Sequence, residues 1–305
     1  MNIAILGAGA LGTLFGGVLA HAGETVWLVH HDAATAHVLD DDGVEVDSEA
    51  VPIDGRIDIN ATADASDVGE ADLVLVLTKT YQTRAALTQH EACIGSETRV
   101  LTLQNGLTVD QTLAEFVPED RVLAGVTYQG ATRHGTGVVE HTNTGKTVFG
   151  GADEAFAEQF ASTLSDAGFD DVSAVADPRP EIWDKQLVSG AFKPTAALTR
   201  LPNGALVEHD AIASMMEHLV SEAEAVAEAR GVTIPTDDPF ERVKRIGTSN
   251  PTHKSSMLQD VEAQQQTEIM EANGAIAALA AEEGIDAPYN TAATALVRGL
   301  EQSYL

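Results

Sequence analysis

Basic residues are scarce in this sequence. Its 305 residues include 17 lysines and arginines against 47 aspartates and glutamates, a formal net charge of −30 at pH 7. A protein that binds a nucleic-acid backbone or an anionic membrane surface needs clustered Lys and Arg side chains, and no basic run occurs here. The composition therefore excludes nucleic acid and anionic membranes as partners, and it makes each of the six lysines informative.

Cysteine and long apolar runs are also nearly absent. Cys93 is the only cysteine, so neither an intramolecular disulfide nor a multi-cysteine metal site can form, and we predict no metal site. No apolar stretch approaches the ~18 residues of a membrane-spanning helix, and the amino terminus has neither a basic region nor a cleavage signal. We therefore expect a cytoplasmic protein without a membrane partner.

The acidic residues are spread along the chain rather than gathered in one tail. Because 44% of the residues are hydrophobic, the chain can bury a core and is not a disordered acidic segment. An acidic, lysine-poor surface is typical of a halophilic protein, which stays soluble in concentrated salt because screening removes most self-repulsion. An ordinary acidic protein remains the alternative.

The amino-terminal residues follow a strand–glycine turn–helix–strand pattern. The apolar run 2–6 leads into Gly7-x-Gly9-x-x-Gly12, and a helical stretch then precedes a second apolar strand at 26–29. In a dinucleotide-binding fold, the first glycine permits the tight turn, the second lets a pyrophosphate approach the backbone, and the third lets helix and strand pack closely. The helix terminus supplies N–H donors for the anion. This order predicts a Rossmann βαβ unit.

Further β/α alternation follows, and the pattern then becomes almost entirely helical. We predict strands at 73–77, 100–103 and 121–127, helices at 81–92 and 108–116, and hairpin-like strands within 131–150. Asp177 and Pro178 mark a helix start as N-cap and first helical residue. The predicted fold class is α/β, with a Rossmann-like doubly wound domain at 1–176 and an all-α domain at 177–305. Its helices are expected at about 180–192, 206–230, 236–247, 255–283 and 289–301.

The end of the second strand should select between the two nicotinamide cofactors. An acid there would bind the ribose 2′-hydroxyl of NAD, whereas a basic residue would bind the 2′-phosphate of NADP. The chain has His30, His31 and Asp32. An imidazole can donate to a phosphate, which favours NADP (NADPH), and Asp32 leaves NAD as the alternative.

Motifs along both predicted domains carry a resemblance to a known family. They are 7–12 (GAGALG), 78–82 (TKTYQ), 104–107 (QNGL), 125–131, 183–185 (WDK), 194–198 (PTAAL), 202–204 (PNG), 255–260 (SSMLQD) and 267–269 (TEI). In this order they resemble the ketopantoate reductase family, the NADPH-dependent 2-dehydropantoate 2-reductases. The glycine motif alone is a weak indication, and the ordered set is far more specific.

The resemblance implies a role for individual positions. It implies that Lys185 donates the proton, that Glu268 is an active-site carboxylate meeting both cofactor and substrate, and that Asn203 and Ser256 bind substrate together with Lys185. His31 stands where relatives often have an arginine for the 2′-phosphate. The implied cofactor contacts are Gly7, Ala8, Gly9, Ala10, Leu11, Gly12, His31, Lys79, Asn105, Ala131 and Glu268.

The sequence departs from the family pattern on the helix of Lys185. The family has asparagines four and eight residues further on, where this chain has Ser189 and Lys193. The spacing keeps all three side chains on one face, so Ser189 and Lys193 are predicted substrate contacts, and Pro194 is expected to kink or end the helix nearby. A second ammonium would lower the pKa of Lys185 and favour a substrate with an additional anionic group. The alternative is that Lys193 points away to a surface acid.

The sequence therefore predicts an oxidoreductase with a small 2-oxo acid as substrate. What the resemblance implies is NADPH-dependent reduction of ketopantoate to (R)-pantoate, within pantothenate and coenzyme A biosynthesis. One alternative is a paralogous reductase of a more anionic 2-oxo acid, and another is a non-catalytic NADP(H)-sensing protein. The apolar-rich helices expected at 206–230 and 255–283 favour a homodimer.

Overall fold

The computed structural model describes residues 1–305. The chain divides into two compact units, here called unit 1 and unit 2. Unit 1 comprises Met1–Gln104 and Val109–Pro178, and unit 2 comprises Asn105–Thr108 and Arg179–Leu305. No helix has the length and apolar character needed to cross a membrane.

Unit 1 is organised around an eight-stranded sheet and a smaller four-stranded sheet. The twelve strands are β1 (Asn2–Leu6), β2 (Thr25–Val29), β3 (Val44–Asp47), β4 (Arg56–Ile57), β5 (Asn60–Thr62), β6 (Leu73–Val76), β7 (Arg99–Thr102), β8 (Val122–Thr127), β9 (Gly130–Gly135), β10 (Val138–Asn143), β11 (Thr147–Gly151) and β12 (Val172–Val175). The large sheet has the order β12-β11-β8-β7-β6-β1-β2-β5. Its six neighbouring strands from β8 to β5 pair in parallel, which is the order of a dinucleotide-binding sheet.

Helices cover both faces of this sheet, because successive residues of its central strands are apolar on both sides. Unit 1 contains α1 (Ala10–His21), α2 (Ala33–Asp42), α3 (Thr83–Gln89), α4 (Val109–Leu113) and α5 (Glu154–Asp166). Ile3 and Ile5 of β1 belong to a core with residues of α1 and α5. Ala4 and Leu6 belong to a separate core with residues of α3 and α4. The predicted doubly wound fold is therefore confirmed.

The small sheet has the order β4-β3-β10-β9. Its β9 and β10 form an antiparallel hairpin, as expected for 131–150. The third strand of that stretch, β11, instead pairs antiparallel with β8 at the edge of the large sheet.

Unit 2 is helical, and one helix lies at its centre. Its elements are α6 (Arg179–Thr199), α7 (Asn203–Glu208), α8 (Asp210–Ala229), α9 (Pro239–Ser249), α10 (Ser256–Glu262), α11 (Asn273–Glu283) and α12 (Pro288–Glu301). Helix α6 packs against α7, α8, α9, α10 and α12. Trp183, Leu187 and Phe192 of α6 join the main core of the unit. Because neighbours surround α6, two of its charged side chains, Asp184 and Lys193, are buried.

Pro194 was expected to kink or end α6 near Lys193. The helix does not end there, because it runs through Pro194 to Thr199. Pro194 has no N–H to offer the carbonyl of Gly190. That carbonyl instead accepts a hydrogen bond from Asn273 Nδ2 at 2.9 Å. A side chain from α11 thus replaces the missing helical bond, and this contact is not visible in the local sequence.

Two long predicted helices are each divided in the structure. The stretch 206–230 is interrupted at His209, between α7 and α8. The stretch 255–283 is also not one helix, because 263–272 separate α10 from α11. Gln264 adopts a left-handed conformation with φ of 56°, and Gln265 N donates to Asp260 O at 2.8 Å, which closes the end of α10. The residues of this break are ordinary helix formers, so tertiary contacts override their propensity.

Candidate active site

The glycine turn of unit 1 is fixed by close packing of its backbone. Gly7 has φ of 106°, which favours glycine, and a Cβ there would lie 2.7 Å from the backbone nitrogen of Thr78. A Cβ at Gly12 would lie 1.9 Å from the carbonyl oxygen of Gly7. The turn after β1 therefore packs against the segment after β6 and against its own helix. This is the point where the strand order reverses, the usual position of a dinucleotide crevice.

Gly9 is different, because a Cβ built there meets no atom within 4 Å. No side chain caps α1, which starts at Ala10 and continues through Leu11. The first N–H groups of a helix have no partner within the helix. Space above Gly9 and an uncapped helix terminus together suit a pyrophosphate approaching the backbone. The residues of this turn, from Gly7 and Ala8 to Gly12, thus fit a bound dinucleotide.

A buried glutamine holds the neighbouring loop in place. Gln104 Nε2 donates to Thr78 O at 2.7 Å and to Thr83 Oγ1 at 2.9 Å, and Gln104 Oε1 accepts from Thr102 Oγ1 at 3.0 Å. Lys79 follows within this loop and is half-buried. Gln104 was part of the motif 104–107, yet no role was predicted for it, because Thr78 and Thr83 lie 26 and 21 residues away from it in sequence.

Two other predicted cofactor contacts belong to different units. Ala131 is half-buried on β9, and Asn105 is half-buried in the short stretch that belongs to unit 2.

The end of β2 carries two imidazoles and an engaged carboxylate. The rings of His30 and His31 stack with centroids 4.5 Å apart. Asp32 caps α2, because its Oδ2 accepts from Thr35 N at 2.8 Å and from Thr35 Oγ1 at 2.7 Å. Burial lowers the pKa of His30, and nearby His31 and Arg133 lower it further. Arg133, an exposed residue of β9, therefore adds positive charge to this end of the strand, and no local pattern could have revealed it.

In unit 2, α6 carries three of the predicted site residues. Lys185 and Ser189 are half-buried, and Lys193 is only 6% exposed. Ser189 Oγ donates to the carbonyl of Gln186 at 3.3 Å, so this hydroxyl is turned back toward its own helix. The alternative that Lys193 points away to a surface acid is wrong, because the lysine is buried.

Glu268 lies in the break between α10 and α11 and is 8% exposed. Its Oε2 is 3.9 Å from Lys193 Nζ. The preceding Thr267 donates from its N and its Oγ1 to Glu301 Oε1 of α12, at 2.7 and 2.6 Å. The residue before Glu268 is thus anchored to another helix.

These groups shift the protonation of Lys185. Burial and, to a smaller extent, the positive charge of Lys193 lower the pKa of this lysine, the carboxylate of Glu268 opposes them, and the pKa that results is about 7. At neutral pH the side chain is therefore divided between ammonium and amine. A group in this state can give up a proton and take one back.

The two other predicted substrate contacts differ in their surroundings. Asn203 begins α7 and is 4% exposed, and its Oδ1 has no hydrogen-bond partner within the protein. Such a buried oxygen suits a donor from a ligand. Ser256 is exposed at the start of α10, where the preceding Ser255 caps the helix by accepting from Leu258 N at 3.3 Å. The role of Ser256 stays a prediction.

Two features of unit 2 were not anticipated. Asp184, next to Lys185, is 2% exposed and pairs with Arg242 of α9 while accepting from Thr236 Oγ1 at 2.7 Å. Glu271 is a second carboxyl near Lys193; burial raises its pKa, Glu268 and Glu301 raise it further, and Lys193 opposes them. Both features depend on burial, which the surrounding sequence does not indicate.

Comparison with known proteins matches both units. The family model described as "Ketopantoate reductase PanE/ApbA" matches residues 3–154, and its C-terminal model matches residues 177–301. A 2-dehydropantoate 2-reductase of Halobacterium salinarum is 36% identical over 98% of this chain and 98% of its own length. One of Pyrococcus abyssi is 31% identical over 99% and 98%.

Solved structures with the same architecture cover the whole chain. A PanE/ApbA family ketopantoate reductase of Ralstonia eutropha has a TM-score of 0.90 and 31% identity, over 100% of this chain and 99% of that one. A ternary structure of D-mandelate dehydrogenase with NADH and anilino(oxo)acetate has a TM-score of 0.90 and 26% identity over the same shares.

Proposed function

The chain belongs to the ketopantoate reductase family, and from that premise we propose that it reduces ketopantoate to (R)-pantoate with NADPH. This reaction would place it in pantothenate and coenzyme A biosynthesis. The observation that carries the proposal is Lys185, a half-buried lysine beside Lys193 and Glu268 whose pKa is lowered to about 7.

Unit 1 would hold the dinucleotide. The backbone of residues 7–12 would receive the pyrophosphate, with Gly9 leaving room and the α1 terminus offering N–H donors. Lys79, on the loop that Gln104 fixes, would add a positive charge, with Asn105 and Ala131 as further contacts. When bound, the nicotinamide supplies a hydride to the C2 carbonyl carbon of the substrate.

Lys185 would complete the reduction. Negative charge develops on the carbonyl oxygen as its carbon is reduced, and an ammonium stabilises that charge and transfers a proton to the oxygen. The carbonyl becomes a hydroxyl, and the lysine is left as an amine that regains a proton from solvent. Glu268 would order this lysine and accept from a substrate hydroxyl. Asn203, Ser189 and Ser256 would bind the rest of the substrate.

The preference for NADPH over NADH is supported by the end of β2. Asp32 uses one carboxylate oxygen to cap α2, which leaves it less suited to the ribose 2′-hydroxyl. His30 and His31 offer ring N–H donors and Arg133 brings a positive charge, and both suit a 2′-phosphate.

A steady-state assay with ketopantoate and with NADPH or NADH tests the proposal. The Lys185→Ala variant is expected to bind NADPH normally and to lose about 10²–10⁴-fold in kcat. Lys244→Ala is the matched control, because Lys244 pairs with Glu241 on the exposed face of α9. Undiminished turnover by Lys185→Ala would refute the role given to Lys185.

A second candidate is the reduction of a different 2-oxo acid on the same scaffold. The D-mandelate dehydrogenase structure favours it, because that protein matches the whole chain as well as the ketopantoate reductase structure does. If Lys193 contacted the substrate instead of Glu268 alone, its ammonium would favour a second anionic group there. A panel of 2-oxo monocarboxylates and dicarboxylates distinguishes the two candidates by kcat/KM. If no 2-oxo acid is turned over while NADPH still binds, the third alternative, a non-catalytic NADP(H)-sensing protein, is favoured.

A further inference from the structure

Lys193 is unusual because its ammonium group lies inside the protein. Its side chain is 8% exposed and that of Glu268 is 10% exposed, with 3.9 Å between Nζ and Oε2. Lysines are rarely buried unless a partner or a function keeps them there. This chain has only six lysines, and two of them lie on the same face of α6.

The charges around this pair come from three elements. Lys185 precedes Lys193 by eight residues on α6, about 12 Å along the helix axis, and their long side chains bring the two ammonium groups within electrostatic range. Glu268 and Glu271 face Lys193 from the break before α11. Glu301 of α12 acts on Glu271 and also holds Thr267. The cluster is therefore built across the helical core.

We propose that Lys193 is a positioning residue, which holds the Glu268 carboxylate through their buried pair and whose charge controls proton release from Lys185. The inference rests on the proposed role of Lys185 as the proton donor. It assigns Lys193 to the protein's own charge cluster rather than to the substrate.

Two electrostatic effects act in the same direction. The ammonium of Lys193 repels that of Lys185 directly. It also pairs with Glu268, whose negative charge would otherwise favour the charged form of Lys185. Without Lys193, Lys185 would stay protonated to a higher pH, although burial would still lower its pKa. The amine form would then be rare, and the exchange of its proton with solvent would be restricted.

Titration of Lys185 in the cofactor-free protein tests this directly. Reductive methylation with ¹³C-formaldehyde labels lysine amines and keeps their charge, and with six lysines the spectrum is simple to assign. Loss of a resonance in Lys185→Ala identifies the signal. We expect a midpoint of about 7 in the unaltered protein, and a midpoint about one pH unit or more higher in Lys193→Met.

Two variants control this measurement, and two more serve if Lys193→Met does not fold. Lys193→Arg keeps the charge and should leave the midpoint near 7, and Lys244→Met removes an exposed lysine and should do the same. If Lys193→Met does not fold, Glu268→Gln replaces it and should lower the midpoint. The double variant Lys193→Met/Glu268→Gln should then titrate higher than Glu268→Gln alone, because only the repulsion by Lys193 separates them.

The pH dependence of kcat for 2-oxo acid reduction gives a second readout. Its high-pH limb should move upward in Lys193→Met and stay in place in Lys193→Arg. An unchanged Lys185 midpoint in Lys193→Met overturns the proposal, and a change confined to the KM of dicarboxylates would assign Lys193 to substrate binding. The titration does not depend on turnover, so it stands even if Lys185→Ala refutes the proposed function.

Discussion

The glycine turn of unit 1 and the lysine cluster of unit 2 are built in opposite ways. The turn consists of consecutive residues whose backbone atoms pack so closely that a Cβ at Gly7 or Gly12 has no room. The cluster consists of the charged side chains of Lys185, Lys193 and Glu268. They come from α6 and from the break before α11, which are distant in sequence. The glycine turn depends on the absence of side chains, and the lysine cluster depends on the burial of long charged side chains.

The difference has an energetic consequence. In the turn, close packing and ligand binding both require glycine, so the functional residues do not reduce the stability of unit 1. In the cluster, burial of ammonium and carboxylate groups costs stability that only their mutual attraction offsets. Unit 2 should therefore gain stability when a catalytic charge is removed, and unit 1 should lose stability when a glycine is replaced.

The largest expected effect is that of a side chain at Gly12. Gly12→Val places atoms against the Gly7 carbonyl, where even a Cβ would lie 1.9 Å away, and should lower the free energy of unfolding by more than about 3 kcal/mol while abolishing NADPH binding. The added Cβ of Gly9→Ala meets nothing within 4 Å, so this variant should lower the free energy of unfolding by less than about 1 kcal/mol. It should still weaken the binding of NADPH. Denaturant unfolding and a binding titration distinguish them, with Gly299→Ala on α12 as the control.

The next largest effect should follow from breaking the ion pair beside Lys185. Arg242→Met leaves Asp184, which is 2% exposed, as an unpaired buried carboxylate, and such a loss typically costs about 3–5 kcal/mol. The double variant Asp184→Asn/Arg242→Met should recover much of this loss, because no charge is then left without a partner. Denaturant unfolding at pH 7 measures both. Equal stability of the single and double variants would contradict the argument.

Sequence reasoning succeeded for the turn and the parallel sheet because both are encoded locally. The spacing of Gly7, Gly9 and Gly12 and the apolar run of β1 are enough to place them. The same reasoning failed where a distant residue changes the outcome. Asn273 satisfies the Gly190 carbonyl and lets α6 pass Pro194, and Glu301 helps to hold the break in which Glu268 lies.

The candidate site shows the same division. The positions in unit 2 came from a resemblance rather than from periodicity, since an isolated lysine on a helix has no distinctive pattern. What could not be predicted was burial: Lys193 was as consistent with a surface position as with an interior one. Arg133 and Glu271 were missed for a different reason, because their charges matter only through neighbours that the fold supplies.

Removal of the Lys185 charge should stabilise the protein at low pH. The folded-state pKa is about 7, against 10.5 for an unperturbed lysine, so between these values the unfolded state binds more protons and the unfolding free energy rises with pH. Below pH 7 the full cost of the buried ammonium is present. Lys185→Met should therefore be more stable than the natural chain at pH 6 by about 2–4 kcal/mol, and this gain should shrink toward pH 10. Unfolding at both pH values tests it, and Lys254→Met, an exposed lysine, should show no such trend.

A smaller effect is expected at the end of β2, where side chains rather than backbone atoms of unit 1 would contact the cofactor. His31→Ala should lower the ratio of kcat/KM for NADPH over NADH by about tenfold, the magnitude of one lost charged hydrogen bond. Arg133→Ala should act in the same direction. His37→Ala is the control, since this histidine is exposed on α2 and pairs with Asp41. An unchanged ratio in both variants would remove the support for NADPH.

The smallest expected effect is that of salt, which should change cofactor binding by unit 1 and leave the lysine cluster of unit 2 unaffected. The net charge of −30 repels an anionic cofactor and an anionic substrate alike, and the screening length falls from about 30 Å at 0.01 M to about 3 Å at 1 M salt. The KM of NADPH should therefore fall a few-fold as potassium chloride is raised, and then level off. The buried pair of Lys193 and Glu268 is hardly screened, so the high-pH limb set by Lys185 should stay in place over the same range. If KM instead rises steadily from low salt, local attraction outweighs the global field; if the limb moves with salt, water reaches the cluster.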